Sequence, residues 1–339
     1  LGYFRNKKIL IIGGTGTVGN GLIEELVKDK PAVIRIFSRD EYKQFIMQSE
    51  MKYEGNFRFL IGDVRDYERV ERAMNDIDIV FNLAAMKHVP ACEYNPSEAI
   101  RTNITGMENV INAALYHNVE CVLFTSSDKA INPTNSYGAT KLLAEKLVQA
   151  ANYGKGKART KFVAVRFGNV MGSRGSVIPL FKKQIINNKE ITVTDPNMSR
   201  FMMTLSEAVR LIMKACEECV GGEVFILKMP VIKLSDLAKV VVHETCKKNN
   251  IETSEVKINN IGLRAGERRY EELMTKEESL SAFDLGHFYV VIPMNFSVDG
   301  YKLKYDNCKK AKVGSYNSSE AEPINIDAVK KLLIDEGLV

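Results

Sequence analysis

The stretch Gly13-Gly14-Thr15-Gly16-Thr17-Val18-Gly19 limits this chain more than any other. It follows the apolar run Lys8–Ile12 without a gap and opens a helical pattern over Val18–Lys28. Glycines at 13, 16 and 19 permit a tight turn and let the backbone approach a pyrophosphate seated on the helix N-terminus. A glycine pattern alone says little. A strand before it and a helix after it give a dinucleotide-binding reading, with a purely structural turn as its competitor. Gly13, Gly16, Thr17, Val18 and Gly19 are the first cofactor candidates.

Further apolar runs follow at Val33–Phe37, Phe57–Ile61, Ile77–Leu83, Cys121–Phe124 and Phe162–Phe167, separated by helical patterns, one of them long, from Pro96 to His117. Runs apolar on both faces that alternate with helices predict an α/β protein built on a doubly wound parallel sheet of the Rossmann type. In such a sheet ligands meet the strand tips. The second strand ends in Ser38 and Arg39, which suit the 2′-phosphate of NADP better than the ribose diol of NAD; Arg39 as a solvated surface residue is the alternative. Asp63, followed by Val64, would accept from the adenine amino group or cap the next helix. Ala84 and Ala85 leave room for backbone to lie against the cofactor. Lys87 would meet a phosphate or sugar, or simply face solvent.

The fifth strand delivers Thr125–Lys141, TSSDKAINPTNSYGATK. If Tyr137 opens a helix, Lys141 lies one turn along the same face. An ammonium there favours the phenolate and makes Tyr137 a base toward a hydroxyl. Asp128 and Lys129 sit at the strand end. They read either as chemistry or as an Asp–Lys salt bridge. Ser126 or Ser127 would hydrogen-bond a substrate hydroxyl.

Past Asn169 the rhythm loosens. Glu207–Cys219 reads as a helix and Glu223–Leu227 as a strand that rejoins the sheet. The division expected is a cofactor-binding unit, 1–169 plus about 204–228, and a smaller α/β unit that binds substrate, about 170–203 and 229–339. A chain of 339 residues is long enough for both. The net charge of +5 is spread out rather than gathered into a basic block, which argues against nucleic-acid or anionic-membrane partners. No apolar segment approaches the ~20 residues of a membrane span, and no signal peptide is evident. Six scattered cysteines suggest a reducing cytoplasm. Cys216 and Cys219 form a lone C-x-x-C, read as chance rather than as a redox or metal site. The four histidines form no metal motif. No metal is expected.

Together with the glycine loop and the Tyr-x-x-x-Lys pair, the segments SRDE, GDVRD, AAMKHVP, SSDKAINPTNSYGATK, RFGNVMGSRGSVIPLF, ITVTDPNMSRFMMT and GLRAGERRYEEL span nearly the whole chain. They resemble the extended short-chain dehydrogenase/reductases that act on nucleotide sugars, and within them the inverting UDP-N-acetylglucosamine 4,6-dehydratases of surface-sugar synthesis. Asp128-Lys129 stands where dTDP-glucose dehydratases carry Asp-Glu, and Tyr137 stands where the long membrane-anchored relatives carry methionine. The resemblance implies a UDP-sugar substrate and a tightly bound, recycled NADP. It implies that Tyr137 and Lys141 oxidise carbon 4, that neutral Lys129 removes the carbon-5 proton, and that protonated Asp128 serves the departing 6-hydroxyl. The family's substrate residues map onto Asn169, Arg174, Val177, Thr194, Arg200, Arg264 and Glu267, beside Lys87 and Ser127. A cytoplasmic homo-oligomer, dimer or higher, is expected. Rival readings are a UDP-sugar 4-epimerase, a combined dehydratase and 5-epimerase, and a non-catalytic NADP-binding sensor.

Overall fold

Strands that are apolar on both faces need helices above and below them. The computed structural model describes residues 2–52, 54–264, 266–294 and 299–339 and has this arrangement. β1 (Lys8–Ile12), β2 (Val33–Ser38), β3 (Phe57–Ile61), β4 (Ile79–Asn82), β5 (Cys121–Thr125) and β6 (Lys161–Arg166) run parallel. Their order across the sheet is β3-β2-β1-β4-β5-β6. The direction of winding reverses between β1 and β4, and that reversal opens a crevice at the carboxyl ends of the strands. Every residue of β4 and β5 is buried.

Val224–Leu227 rejoins this sheet beside β6, in parallel, as the sequence predicts. Phe288–Val291 and Ala282–Asp284 then extend it antiparallel. The sequence reading assigned these two strands to the smaller unit. They lie on the main sheet because Ala282, Phe283, Val290 and Val291 bury their side chains there and because the Val224–Leu227 edge offers unpaired backbone.

A second hydrophobic core, separate from the one around the sheet, gathers Ile178, Phe181, Ile185, Leu237, Val241 and Leu333. Its helices are Val177–Asn188, Leu234–Asn249 and Ile326–Asp335, beside three short sheets. Among the described residues no helix is long and apolar enough to cross a membrane.

The helical pattern from Pro96 is interrupted. Pro96–Ile100 passes through a wide π turn, Arg101–Thr105, before Gly106–Tyr116. Such turns redirect a side chain. Here the buried Asn103 points inward: its Oδ1 accepts from Met86 N at 2.9 Å and its Nδ2 donates to Thr140 Oγ1 at 2.9 Å. Asn103 thereby ties the loop after β4 to the tyrosine-bearing helix. Cys216 and Cys219 are buried with Cys121, whose Sγ lies 3.5 Å from that of Cys216; all three are free thiols packed into the core.

Candidate active site

The crevice is a cavity of about 750 Å³. Gly13, Gly16, Thr17, Val18 and Gly19 line it, with Ser38, Arg39, Asp63, Val64, Ala84 and Ala85 at the strand tips. Asp128, Lys129, Tyr137 and Lys141 line the same cavity, as do Lys87, Ser127, Asn169 and Arg174. Gly13 has φ +82°, and a Cβ there would lie 2.8 Å from Ala84 N. Only glycine lets the loop come this close to the end of β4. Gly16 caps the Thr17–Leu26 helix without any side-chain hydrogen bond. The first N–H groups of that helix therefore have no capping side chain, as an anion site at a helix N-terminus requires.

At the strand tips the structure refines several expectations. The Ser38 hydroxyl accepts from Gln44 Nε2 at 2.9 Å. Asp63 does not cap the next helix; Asp66 does, accepting from Arg69 N at 3.1 Å. Asp63 instead accepts from Arg65 N and Nε, at 3.0 and 2.9 Å, and lies 3.8 Å from Arg39. Lys87 Nζ donates to Arg174 O at 3.1 Å, and Arg174 N donates to Thr17 Oγ1 at 3.3 Å. The loop carrying Arg174 thus lies against the glycine loop. Burial and the Arg174 charge push Lys87 below the ordinary lysine range.

Ser126 N donates to Val165 O at 2.7 Å and Asp128 N to Phe167 O at 3.2 Å, which tie the segment after β5 to the end of β6. A short turn, Asp128–Ala130, follows. The helix Ser136–Gly154 starts at Asn135, whose side chain accepts from Gly138 N at 2.8 Å. A Cβ on Gly138 would lie 2.1 Å from Lys129 O. This close packing puts the helix start on the turn and Tyr137 beside Asp128 and Lys129. The tyrosine ring packs with Cys92 and Ala99.

Lys129 Nζ reaches Asp128 Oδ2 at 2.9 Å and Oδ1 at 3.2 Å. Ser127 donates to Asp128 Oδ1 at 2.7 Å. Burial alone would raise Asp128, but the Lys129 charge and the bonds from Lys129 and Ser127 outweigh it and hold the carboxyl below its ordinary value. Burial lowers Lys129, yet Asp128 and Glu271 together raise it above the ordinary lysine range. At 2.9 Å the two side chains form a salt bridge. The protonated Asp128 and neutral Lys129 that the resemblance implies differ from it by one proton passed from Lys129 to Asp128.

Tyr137 is pushed up to about 12, by burial first, against the lowering effects of the Lys129 charge and a Ser127 hydrogen bond. The Lys141 ammonium is held down to about 7 by burial, donates to Thr125 O at 2.7 Å, and lies 4.5 Å from the Phe124 ring centroid. Of the two serines, Ser127 donates to Asp128, and the buried Ser126 hydroxyl has no hydrogen-bond partner among the described residues.

Glu271 is the site residue that the sequence reading passed over. It is 7 % exposed and immediately precedes the Glu272–Met274 strand. Its Oε1 lies 3.5 Å from Lys129 Nζ and 3.4 Å from Arg200 Nε. It accepts from Asn169 Nδ2 at 2.9 Å and from Phe201 N at 3.0 Å. Burial and the Asp128 charge raise it above the ordinary glutamate range. Its signal lay in GLRAGERRYEEL, where Glu267 was chosen. Glu267 instead accepts from Arg264 N at 3.2 Å on an exposed turn. Neither Arg264 nor Glu267 lines the cavity, and nor do Val177, Thr194 and Arg200. Val177 begins a helix, Thr194 donates to Met198 Sδ, and Arg200 spends its fork on the carbonyls of Arg268 and Arg269.

The family model described as "Polysaccharide biosynthesis protein" matches residues 9–293. A Methanocaldococcus jannaschii protein named uncharacterized membrane protein MJ1061 is 45% identical, over 98% of this chain and 96% of its own. A Rickettsia bellii protein named UDP-glucose 4-epimerase is 42% identical over 98% of this chain and 96% of its own. A Campylobacter jejuni protein named UDP-N-acetylglucosamine 4,6-dehydratase (inverting) is 41% identical over 95% of each. The X-ray structure of Pen from Bacillus thuringiensis superposes with a TM-score of 0.93 at 50% identity, over 99% of each chain.

Proposed function

This chain belongs to the polysaccharide biosynthesis protein family of extended short-chain dehydrogenase/reductases, enzymes of the dehydratase and epimerase type acting on UDP-sugars, and from that premise we propose that it is an inverting UDP-N-acetylglucosamine 4,6-dehydratase using NADP. One observation carries the choice. Lys129 and Asp128 stand 2.9 Å apart in the same cavity as Tyr137. A 4-epimerase has no use for a base and an acid beyond the tyrosine.

The glycine loop and the uncapped Thr17–Leu26 helix would hold the pyrophosphate, with Arg39 at the tip of β2 for the 2′-phosphate. Bound NADP would supply a hydride acceptor for carbon 4 and a hydride donor for carbon 6. Tyr137 takes the proton of the 4-hydroxyl, with Lys129 and Ser127 working against the burial that holds its phenol up at about 12. Lys141 holds the cofactor. Oxidation at carbon 4 makes the carbon-5 proton labile. Lys129 Nζ then removes it, Asp128 gives a proton to the leaving 6-hydroxyl, and water departs. The Ser126 hydroxyl is free to orient the sugar. Substrate binding, by displacing water from the cavity, favours the neutral forms of both Asp128 and Lys129.

Incubation with UDP-N-acetylglucosamine in deuterated water, followed by proton NMR, tests this. The expected product is a 4-keto-6-deoxy sugar with deuterium at carbon 5 and inverted configuration there. Conversion to the galacto isomer alone would assign the chain to the epimerases.

A further inference from the structure

Lys129 is shared between two carboxyl groups. Its Nζ lies 2.9 Å from Asp128 Oδ2, on the residue beside it, and 3.5 Å from Glu271 Oε1, on the segment that leads into the Glu272–Met274 strand. Glu271 does not line the cavity, so it acts on a bound sugar through Lys129. Among the described residues the hydrogen-bond and ion-pair partners of its carboxyl all donate: Asn169 Nδ2 at 2.9 Å, Phe201 N at 3.0 Å, Arg200 Nε at 3.4 Å and Lys129 Nζ. Four donors, two of them cations, are the surroundings of a carboxylate. The backbone that carries it is fixed as well. Ser318 Oγ accepts from Glu271 N at 2.9 Å, and Arg200 donates to Arg268 O at 2.8 Å and to Arg269 O at 3.2 Å. The charge at 271 therefore stays in place while Lys129 and Asp128 exchange protons.

The elimination contains a stage at which Asp128 is no counter-charge. Asp128 starts it as the neutral acid and Lys129 as the neutral amine. When the amine takes the carbon-5 proton, the electron pair of that C–H bond moves into the enolate of the carbon-4 ketone, and Lys129 becomes an ammonium. Asp128 stays neutral until the C6–O bond breaks. The carboxylate that still faces the ammonium is Glu271. We propose that Glu271 is a positioning residue: a fixed carboxylate that holds Lys129 Nζ and balances its charge from removal of the carbon-5 proton until the 6-hydroxyl leaves. The enolate electrons then form the C5–C6 double bond, Asp128 protonates the leaving hydroxyl to water, and the Asp128–Lys129 ion pair is restored. An ammonium without a counter-charge is costly in a buried site, so the Glu271 charge lowers the barrier of this step. Oxidation at carbon 4 runs through Tyr137 and does not need it.

The inference rests on the dehydratase reading. Its test compares two steps in the full-length holoenzyme given UDP-N-acetylglucosamine: single-turnover cofactor reduction at 340 nm, which reads carbon-4 oxidation, and carbon-5 deuterium incorporation by proton NMR. Glu271→Gln keeps the shape and removes the charge. It should oxidise carbon 4 within about threefold of wild type, incorporate deuterium about tenfold or more slowly, and accumulate reduced cofactor between the two steps. Glu271→Asp keeps the charge but withdraws it by one carbon. It should fall between wild type and Glu271→Gln in deuterium incorporation, again with carbon-4 oxidation unchanged. A merely structural glutamate would slow both steps together, and that outcome overturns the proposal. So does deuterium incorporation at the wild-type rate in Glu271→Gln, or a Glu271→Asp no faster than Glu271→Gln. Should Glu271→Gln fail to fold, Glu271→Asp decides alone: equal effects on the two steps overturn the proposal. A wild type that makes only the galacto isomer sinks the dehydratase reading and this inference with it. A wild type that dehydrates beside a Glu271→Gln variant that keeps pace sinks this inference alone.

Discussion

Replacing Lys141 with methionine should change how stability depends on pH, in a direction that burial fixes. Among the described residues the ammonium has no acidic partner in hydrogen-bond contact; it holds Thr125 O at 2.7 Å and the Phe124 ring, and the Glu145 charge offsets its burial only in part. Burial lowers its pKa from 10.5 to about 7. A depression of about 3.5 units corresponds to about 5 kcal/mol between the two protonation states. Between pH 7 and 10.5 the unfolded chain binds this proton and the native chain does not. Stability therefore rises with pH across that window, and below pH 7 the native protein carries the full penalty. The group alone should add about 2 kcal/mol between pH 7 and 9. Methionine removes the titration but leaves Thr125 O without its donor, at a cost of about 1–3 kcal/mol. Lys141→Met should therefore be more stable than wild type by about 2–4 kcal/mol at pH 6, and less stable by about 1–3 kcal/mol above pH 10. The chain has no tryptophan, so urea unfolding of the cofactor-free protein is best followed by circular dichroism at constant ionic strength. A wild-type-minus-variant difference that stays flat from pH 6 to 9 would refute the claim that burial outweighs every charge favouring the Lys141 ammonium.

Lys129→Met should abolish carbon-5 deuterium incorporation, a loss of a hundredfold or more by the usual weight of general base catalysis, while still reducing bound cofactor transiently at 340 nm. Arg39→Ala should weaken NADP binding about tenfold or more and leave NAD binding nearly unchanged, as read by cofactor titration; equal losses for both would remove Arg39 from the 2′-phosphate. Gly138→Ala places a Cβ 2.1 Å from Lys129 O, so the melting temperature should fall and the rate should drop with it. Arg166 is fully buried and binds Glu145, Glu278 and Leu273 O, so Arg166→Met strands Glu145 without a counter-charge and should cost about 3–5 kcal/mol in chemical denaturation.

The order of local elements was legible in the chain because it rests on local rules. Buried parallel strands read as unbroken apolar runs, a glycine loop between strand and helix reads as a phosphate cradle, and the winding of the sheet follows from that alternation. That Asp128, Lys129, Tyr137 and Lys141 share one cavity was legible for the same reason: the single strand–turn–helix stretch Thr125–Lys141 carries them all. What each of them does to the others was not legible. Four residues along a helix put Lys141 on the face of Tyr137, but only the packing of Gly138 on the turn adds the Lys129 charge to those acting on the phenol, and only the fold gives Lys141 the Thr125 carbonyl. The Ala282–Asp284 and Phe288–Val291 strands join the main sheet because of an edge formed more than fifty residues earlier, at Val224–Leu227. Glu271 reaches Lys129 from still another element, about 140 residues along the chain, and burial first, then the Asp128 charge, raise its carboxyl above the ordinary range. Spacing along a chain determines which groups share a turn. Burial, and the charges that burial brings face to face, are properties of the closed tertiary structure alone, and they set the protons on which the proposed chemistry depends.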